Sequence, residues 1–236
     1  MSMAFLILHG LEGSGPEHWQ TWVAGRLGGR GLQVAYPSLP DADNPRLERW
    51  LEALGETPGL TSITGEEARR VHLDQSLAAA DTVRRFEGTI VDVGSGGGAP
   101  GIPLAVVLPE REVTLLESSR RKCAFLERWA RELPNVQVVC GRAEEQPVDH
   151  WGVAVAKALA SPPVAAEWCL PLAAPGGAAI LFVGPSAALG RVLLVAEQLA
   201  AEPAESPSGL LVLRKVGATP PGFPRRPGVA RKRPLA

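Results

Sequence analysis

The sequence predicts an α/β fold: a mostly parallel sheet with helices on both faces. Two observations carry this expectation. From residue 89 onward, short apolar strands alternate with segments of helical spacing, and the glycine cluster Gly94-Ser95-Gly96-Gly97-Gly98 directly follows the first of those strands. Repeated strand–helix units with apolar strands pair in parallel and are buried on both sides. The 236 residues and 45% hydrophobic content suit one sizeable core plus a modest appendage.

The elements follow in order. Residues 4–8 read as a buried strand that ends at His9 and Gly10. After a Gly/Pro turn over 11–16, residues 17–27 carry Trp19, Trp22, Val23 and Leu27 at helical spacing. A second short strand at 32–35 is closed by Pro37 and Pro40. Pro45 suits the start of a helix over 46–54, with Leu47, Trp50, Leu51 and Leu54 on one face. Residues 55–59 break it, and 66–86 read as one further helix. Strands are then expected at 89–93, 113–117, 136–140, 153–156, 178–183 and 210–215. The intervening helices fit 102–108, 119–133, 162–172 and 187–201, while the Pro/Ser-rich stretch 202–209 reads as a loop.

The net charge of -1 hides an asymmetry: residues 206–236 hold Arg214, Lys215, Arg225, Arg226, Arg231, Lys232 and Arg233 and no acid. A basic tail on a mildly acidic body points to an anionic partner or to a solvated end. Cys123, Cys140 and Cys169 each sit in an apolar run and form no C-x-x-C pair, which predicts buried free thiols, a reducing compartment and no metal site. The start MSMAFLILHG lacks a basic n-region, and no apolar stretch approaches the roughly 18 residues of a membrane span. A cytoplasmic protein with no membrane partner is expected.

The glycine cluster carries the chemistry. Glycines let the backbone turn sharply and approach a ligand closely, and the following helix N-terminus offers free N–H groups. Glu117 ends the next strand, where an acid can accept hydrogen bonds from ribose hydroxyls. Nicotinamide cofactors use similar geometry. Two features favour S-adenosylmethionine: Asp92 lies two residues before the first glycine, and Ala99-Pro100 replaces the third glycine of G-x-G-x-x-G. The expected cofactor-binding set therefore includes Asp92, Gly94, Gly96, Gly98 and Glu117.

From about Leu60 to Leu235 the chain resembles the RsmG (GidB) family of class I, Rossmann-like methyltransferases. The resemblance rests on Leu60-Thr-Ser-Ile-Thr64, His72-Leu-Asp-Gln-Ser-Leu77, the run from Val91 through Gly94 to Leu104, Thr114-Leu-Leu-Glu-Ser118 and Gly141-Arg-Ala-Glu-Glu145. Pro175-Gly-Gly177, Arg214-Lys-Val216 and Pro224-Arg-Arg-Pro-Gly-Val229 complete it. It implies S-adenosylmethionine as cofactor and methylation of N7 of a guanine in 16S rRNA of the small ribosomal subunit. By position it adds Ala99 (through its backbone), Ala143, Glu144 and Lys157 to the cofactor contacts. It also implies Arg121, Lys122, Arg142 and Lys157 around the pocket as cations for rRNA phosphates or the methionine carboxylate, although Arg121 and Lys122 equally suit a solvated helix face. With them, Arg225, Arg226, Lys232 and Arg233 of the basic tail are expected to bind the RNA. Three positions depart from the family: Ala99 stands for a bulky residue, Lys157 for Arg, and Gln75 for Asp, with Asp74 displaced by one. A lysine lacks the planar fork of an arginine.

The front end resembles a different family. Phe5-Leu-Ile-Leu-His-Gly-Leu-Glu-Gly-Ser-Gly-Pro-Glu-His-Trp-Gln20 and Tyr36-Pro-Ser-Leu-Pro40 look like the opening of RBBP-nine/YdeN-type serine hydrolases. A hydrolase also needs a G-x-S-x-G nucleophile elbow and a later acid and histidine. The elbow does not occur in the sequence. Residues 1–54 are thus expected to be an incomplete β-α-β segment, and 55–236 the methyltransferase domain with its basic tail. Two other outcomes stay open: an inactive or RNA-binding derivative, and a hydrolase.

Overall fold

The computed structural model describes residues 4–6, 33–35, 44–184, 187 and 189–236. Strands β1 (Ala4–Leu6) and β2 (Gln33–Ala35) pair in parallel, with Ala4 opposite Gln33. The helix expected at 17–27 and the turn at His9 and Gly10 lie outside the described residues.

Helix α1 (Pro45–Glu56) begins as its sequence dictates: the Asn44 side chain accepts the Arg46 N–H at 2.9 Å, and Pro45 occupies the first turn. Leu47, Trp50 and Leu54 are buried along one face, and the Trp50 indole donates to the Gly97 carbonyl at 2.9 Å. This helix therefore packs directly on the glycine loop. The long helix expected over 66–86 is instead broken into α2 (Gly65–Ala68), a π-helical turn (Arg69–Asp74), α3 (Gln75–Ala78) and α4 (Ala80–Arg84). Single π turns inside helices concentrate at functional sites.

The remaining elements alternate. They are β3 (Ile90–Val93), α5 (Gly101–Val107), β4 (Val113–Glu117), α6 (Arg120–Ala130), β5 (Val136–Cys140) and a 3-10 turn (Ala143–Glu145). Then come β6 (Trp151–Lys157), α7 (Pro162–Cys169), β7 (Ala173–Phe182), α8 (Leu189–Gln198), β8 (Ala201–Pro203), β9 (Leu210–Lys215) and α9 (Val229–Lys232). They build a seven-stranded sheet in the order β5-β4-β3-β6-β7-β9-β8. β3 to β7 run parallel, and β9 is antiparallel to β7 and β8.

Alternation along β3 sends Ile90 into the core under α1 and α5, and Val91 and Val93 into the core under α7 and α8. The sheet is thus apolar on both faces, as the sequence predicted. Three expectations are corrected. Residues 202–209 are not all loop, because β8 adds an edge strand through Pro203, whose missing N–H is tolerated there. Lys215 is no surface cation: it is 1% exposed, and its ammonium donates to Asp149, Thr219 and the Leu170 carbonyl at 2.7–3.1 Å. Cys123 and Cys140 are not free thiols. α6 packs beside β5, bringing their Cα atoms to 5.8 Å, and the two form a disulfide. Cys169 is free and buried, as expected.

Candidate functional site

The strand order reverses at β3, with β4 on one side and β6 on the other. Parallel sheets bind ligands at such a switch point, beyond the carboxyl ends of the strands. The glycine loop leaves β3 at this point. The Gly94 N–H donates to Leu116 O at 2.8 Å, and the Gly98 N–H closes the turn onto Ser95 O at 2.7 Å. Gly94 has φ 72°, a left-handed conformation that favours glycine.

Two carboxylates hold the loop. Glu117, at the end of β4 and 7% exposed, accepts the Gly96 N–H through Oε2 at 2.9 Å and the Ser119 N–H through Oε1 at 2.8 Å. A carboxylate has about four lone-pair sites, so acceptor capacity remains for ribose hydroxyls. Asp92 is fully buried, and its Oδ2 accepts the Gly101 N–H at the start of α5 at 3.0 Å. Its Oδ1 is buried without a hydrogen-bond partner. Burial pushes the Asp92 carboxyl up to about 7, partly opposed by the Gly101 N–H.

Two cavities open on either side of the end of β6. The first, of about 130 Å³, lies between the ends of β3, β4 and β5, and its walls include Gly94, Ser118, Ala143, Glu144, Leu159 and Trp168. The second, of about 710 Å³, is lined by Val71, Gln75, Lys157, Ala158 and Phe182 among others. The segment 157–159 thus divides them, and Ala158 adopts φ 52°, a left-handed conformation costly for a residue with a side chain.

Lys157 faces the second cavity rather than the first. Its ammonium donates to the Val71 carbonyl of the π turn and lies 5.4 Å from the Phe182 ring centroid. Burial lowers its pKa to about 8, against the attraction of Asp92. Around it stand other strained ionisable groups. His72 is held below its ordinary value by burial and then by Lys157, while its Nε2 pairs with the Thr61 hydroxyl at 2.9 Å. Asp74 is 4% exposed with neither oxygen hydrogen-bonded, and burial raises its pKa.

The expected residues divide accordingly. Gly94, Ala143 and Glu144 meet at the first cavity, with Arg142 on its rim; Gly96 and Glu117 brace the loop beside it. Gly98, at φ 105°, turns the chain toward α5. Ala99 packs against the main core rather than lining either cavity. Arg121 is exposed and donates to Pro58 O at 2.8 Å, and Lys122 lies half-buried on the same helix. Arg226, Lys232 and Arg233 are exposed. Arg225 is not free for an anion, because its guanidinium forks onto Glu167 at 2.5 and 2.6 Å. Sequence reasoning missed Leu159, Trp168, Gly228 and Arg231 in the first cavity's wall. Trp168 has core spacing on α7, and nothing local shows that the tail returns to it.

The parallel sheet, the reversal at β3 and the acid-braced glycine loop define a class I, Rossmann-like methyltransferase fold. A solved structure described as geranyl diphosphate methyltransferase in complex with GPP and sinefungin shares this fold, with a TM-score of 0.50 at 15% identity, over 59% of this chain and 64% of that one. Residues 45–190 match the family model described as rRNA small subunit methyltransferase G. The ribosomal RNA small subunit methyltransferase G of Pelotomaculum thermopropionicum is 38% identical, covering 75% of this chain and 82% of that protein. The protein of the same name from Alkaliphilus metalliredigens is 36% identical over 76% of this chain and 84% of its own length. The chain belongs to the rRNA small subunit methyltransferase G family. Residues 5–64 separately match a serine hydrolase family model.

Proposed function

We propose that the chain transfers a methyl group from S-adenosylmethionine to N7 of a guanine in the 16S rRNA of the small ribosomal subunit. The observation that carries this is the pair of cavities meeting across segment 157–159 at the strand-order reversal, in a member of this family. The first cavity suits the adenosine end of the cofactor: Glu117 has acceptor capacity beside a glycine turn, and apolar walls at Val93, Leu116 and Leu159 suit a purine. S-adenosylmethionine supplies an electrophilic methyl group carried on sulfur.

The residues of the chain position rather than ionise the substrate. Guanine N7 carries a free lone pair, so no general base is required, and rate comes from alignment and electrostatics. The second cavity takes the guanine. There Lys157, tethered to Val71 O, donates to O6 and holds the N7 edge toward the first cavity. Asp92 fixes the loop and α5 relative to each other, through the Gly101 N–H. Arg121, Lys122, Arg142, Arg226, Lys232 and Arg233 hold rRNA phosphates, and the target base is splayed out of its loop.

No helix among the described residues is long and apolar enough to cross a membrane, and no group of three or more His, Cys, Asp or Glu is placed to hold a metal. We place the protein in the cytoplasm with its ribosomal substrate, and assign residues 1–54 to the segment resembling the start of a hydrolase. Calorimetry tests the cofactor assignment. Binding of S-adenosylmethionine without binding of NAD is expected; the reverse would overturn it.

A further inference from the structure

The basic tail folds back on the first cavity and is held there by three contacts, with a fourth inside the tail itself. Arg225 places Nε 2.5 Å from Oε1 and Nη2 2.6 Å from Oε2 of Glu167, a carboxylate 3% exposed on α7. The same Nη2 donates to the Arg233 carbonyl at 2.8 Å, tying the two ends of residues 225–233 together. The Gly228 N–H, at φ 81°, donates to Glu144 Oε1 at 3.0 Å. The Arg231 guanidinium lies over the Trp168 ring, 5.8 Å from its centroid. Ala230 between them is buried at 2% exposure. Gly228 and Arg231 line the same cavity as Leu159 and Trp168.

We propose that residues 225–233 are a fixed roof of the cofactor cavity, with Trp168 and Arg231 contacting the adenosine of S-adenosylmethionine. This rests on reading the first cavity as the cofactor site. Trp168 gives the cavity an aromatic wall, while its indole Nε1–H is sealed away from the open space. A purine gains from packing on an aromatic side chain, and adenosine supplies that purine. Arg231 covers the indole and extends the wall. Arg225 and Glu167 touch no ligand and act as positioning residues. Their bidentate pair fixes the tail over Glu144, whose carboxylate accepts the Gly228 N–H. One segment thus encloses the cofactor and presents Arg226, Lys232 and Arg233 to solvent.

The test uses the full chain without RNA. Dissociation constants and release rates are measured for S-adenosylmethionine and for 5′-methylthioadenosine, which keeps the adenosine and lacks the amino acid. Trp168→Leu should weaken both ligands about tenfold, the loss of one aromatic packing surface for the purine. Arg231→Ala, an exposed position, should weaken both about threefold with an unchanged melting temperature. Glu167→Gln should speed release of both ligands by the same factor, which a general loss of stability would not do. Wild-type binding with all three variants indistinguishable from it would overturn the roof and leave the proposed function standing. Loss confined to S-adenosylmethionine would overturn the adenosine contact. Failure of the wild-type chain to bind either ligand would overturn the cofactor reading and the roof together.

Discussion

Asp92 and Lys157 show what a residue's type reveals and what only packing supplies. Asp92 was marked by its distance from Gly94, and Lys157 by the position it matches in the family resemblance. It did not show that Asp92 is sealed inside β3 with its carboxyl raised to about 7. Between its ordinary value of 3.8 and about 7 the folded chain keeps a proton that the unfolded chain releases. This contribution to stability is complete below the lower value and lost as pH rises through the upper one. Asn mimics the neutral acid. The melting temperature of Asp92→Asn relative to wild type should therefore rise between about pH 5 and pH 8; a flat difference would mean that Asp92 titrates as an ordinary carboxylate. Lys157 lines only the second cavity. Lys157→Ala should lower kcat on ribosomal subunits by about 100-fold through misplacement of the base, with the S-adenosylmethionine dissociation constant unchanged. An equal loss of cofactor affinity would place Lys157 in the cofactor site instead.

The elements were legible wherever a periodic apolar pattern determined them. β3 to β7, β9 and the helices between them fall within a few residues of expectation, because the central strands, buried on both faces, are continuous apolar runs. The misses have tertiary causes. The π turn at Arg69–Asp74 keeps helical spacing, so no breaker residue announces it. β8 is three residues of edge strand containing a proline. α9 and the return of the tail depend on Glu167 and Glu144, which lie more than fifty residues away. The disulfide was misread because Cys123 and Cys140 each belong to an apolar run, and only the docking of α6 on β5 brings them together. Its closed loop, with a sequence separation of 17, should contribute about 3 kcal/mol. Cys140→Ser should lower the chemical denaturation midpoint accordingly and abolish its response to reductant. A wild-type midpoint that ignores reductant would show that the bond contributes nothing to stability.

At the scale of the molecule, the seven-stranded sheet places two cavities near its switch point, side by side, as the proposed nucleoside and base require. α1, which falls mostly within residues 1–54, packs on this unit, with Trp50 and Leu54 against the glycine loop. Exposed cations at Arg226, Lys232 and Arg233 flank the roofed cavity. Neutralising all three should weaken binding to small ribosomal subunits and reduce the slope of log affinity against log salt by about two to three. An unchanged slope would remove the tail from the RNA interface. The central claim is tested most directly by incubating the protein with isotopically labelled S-adenosylmethionine and small ribosomal subunits that lack the modification, then mapping the label. The account predicts a single 7-methylguanine in 16S rRNA. Label on another atom or another molecule, or no transfer by a chain that binds the cofactor, would contradict it.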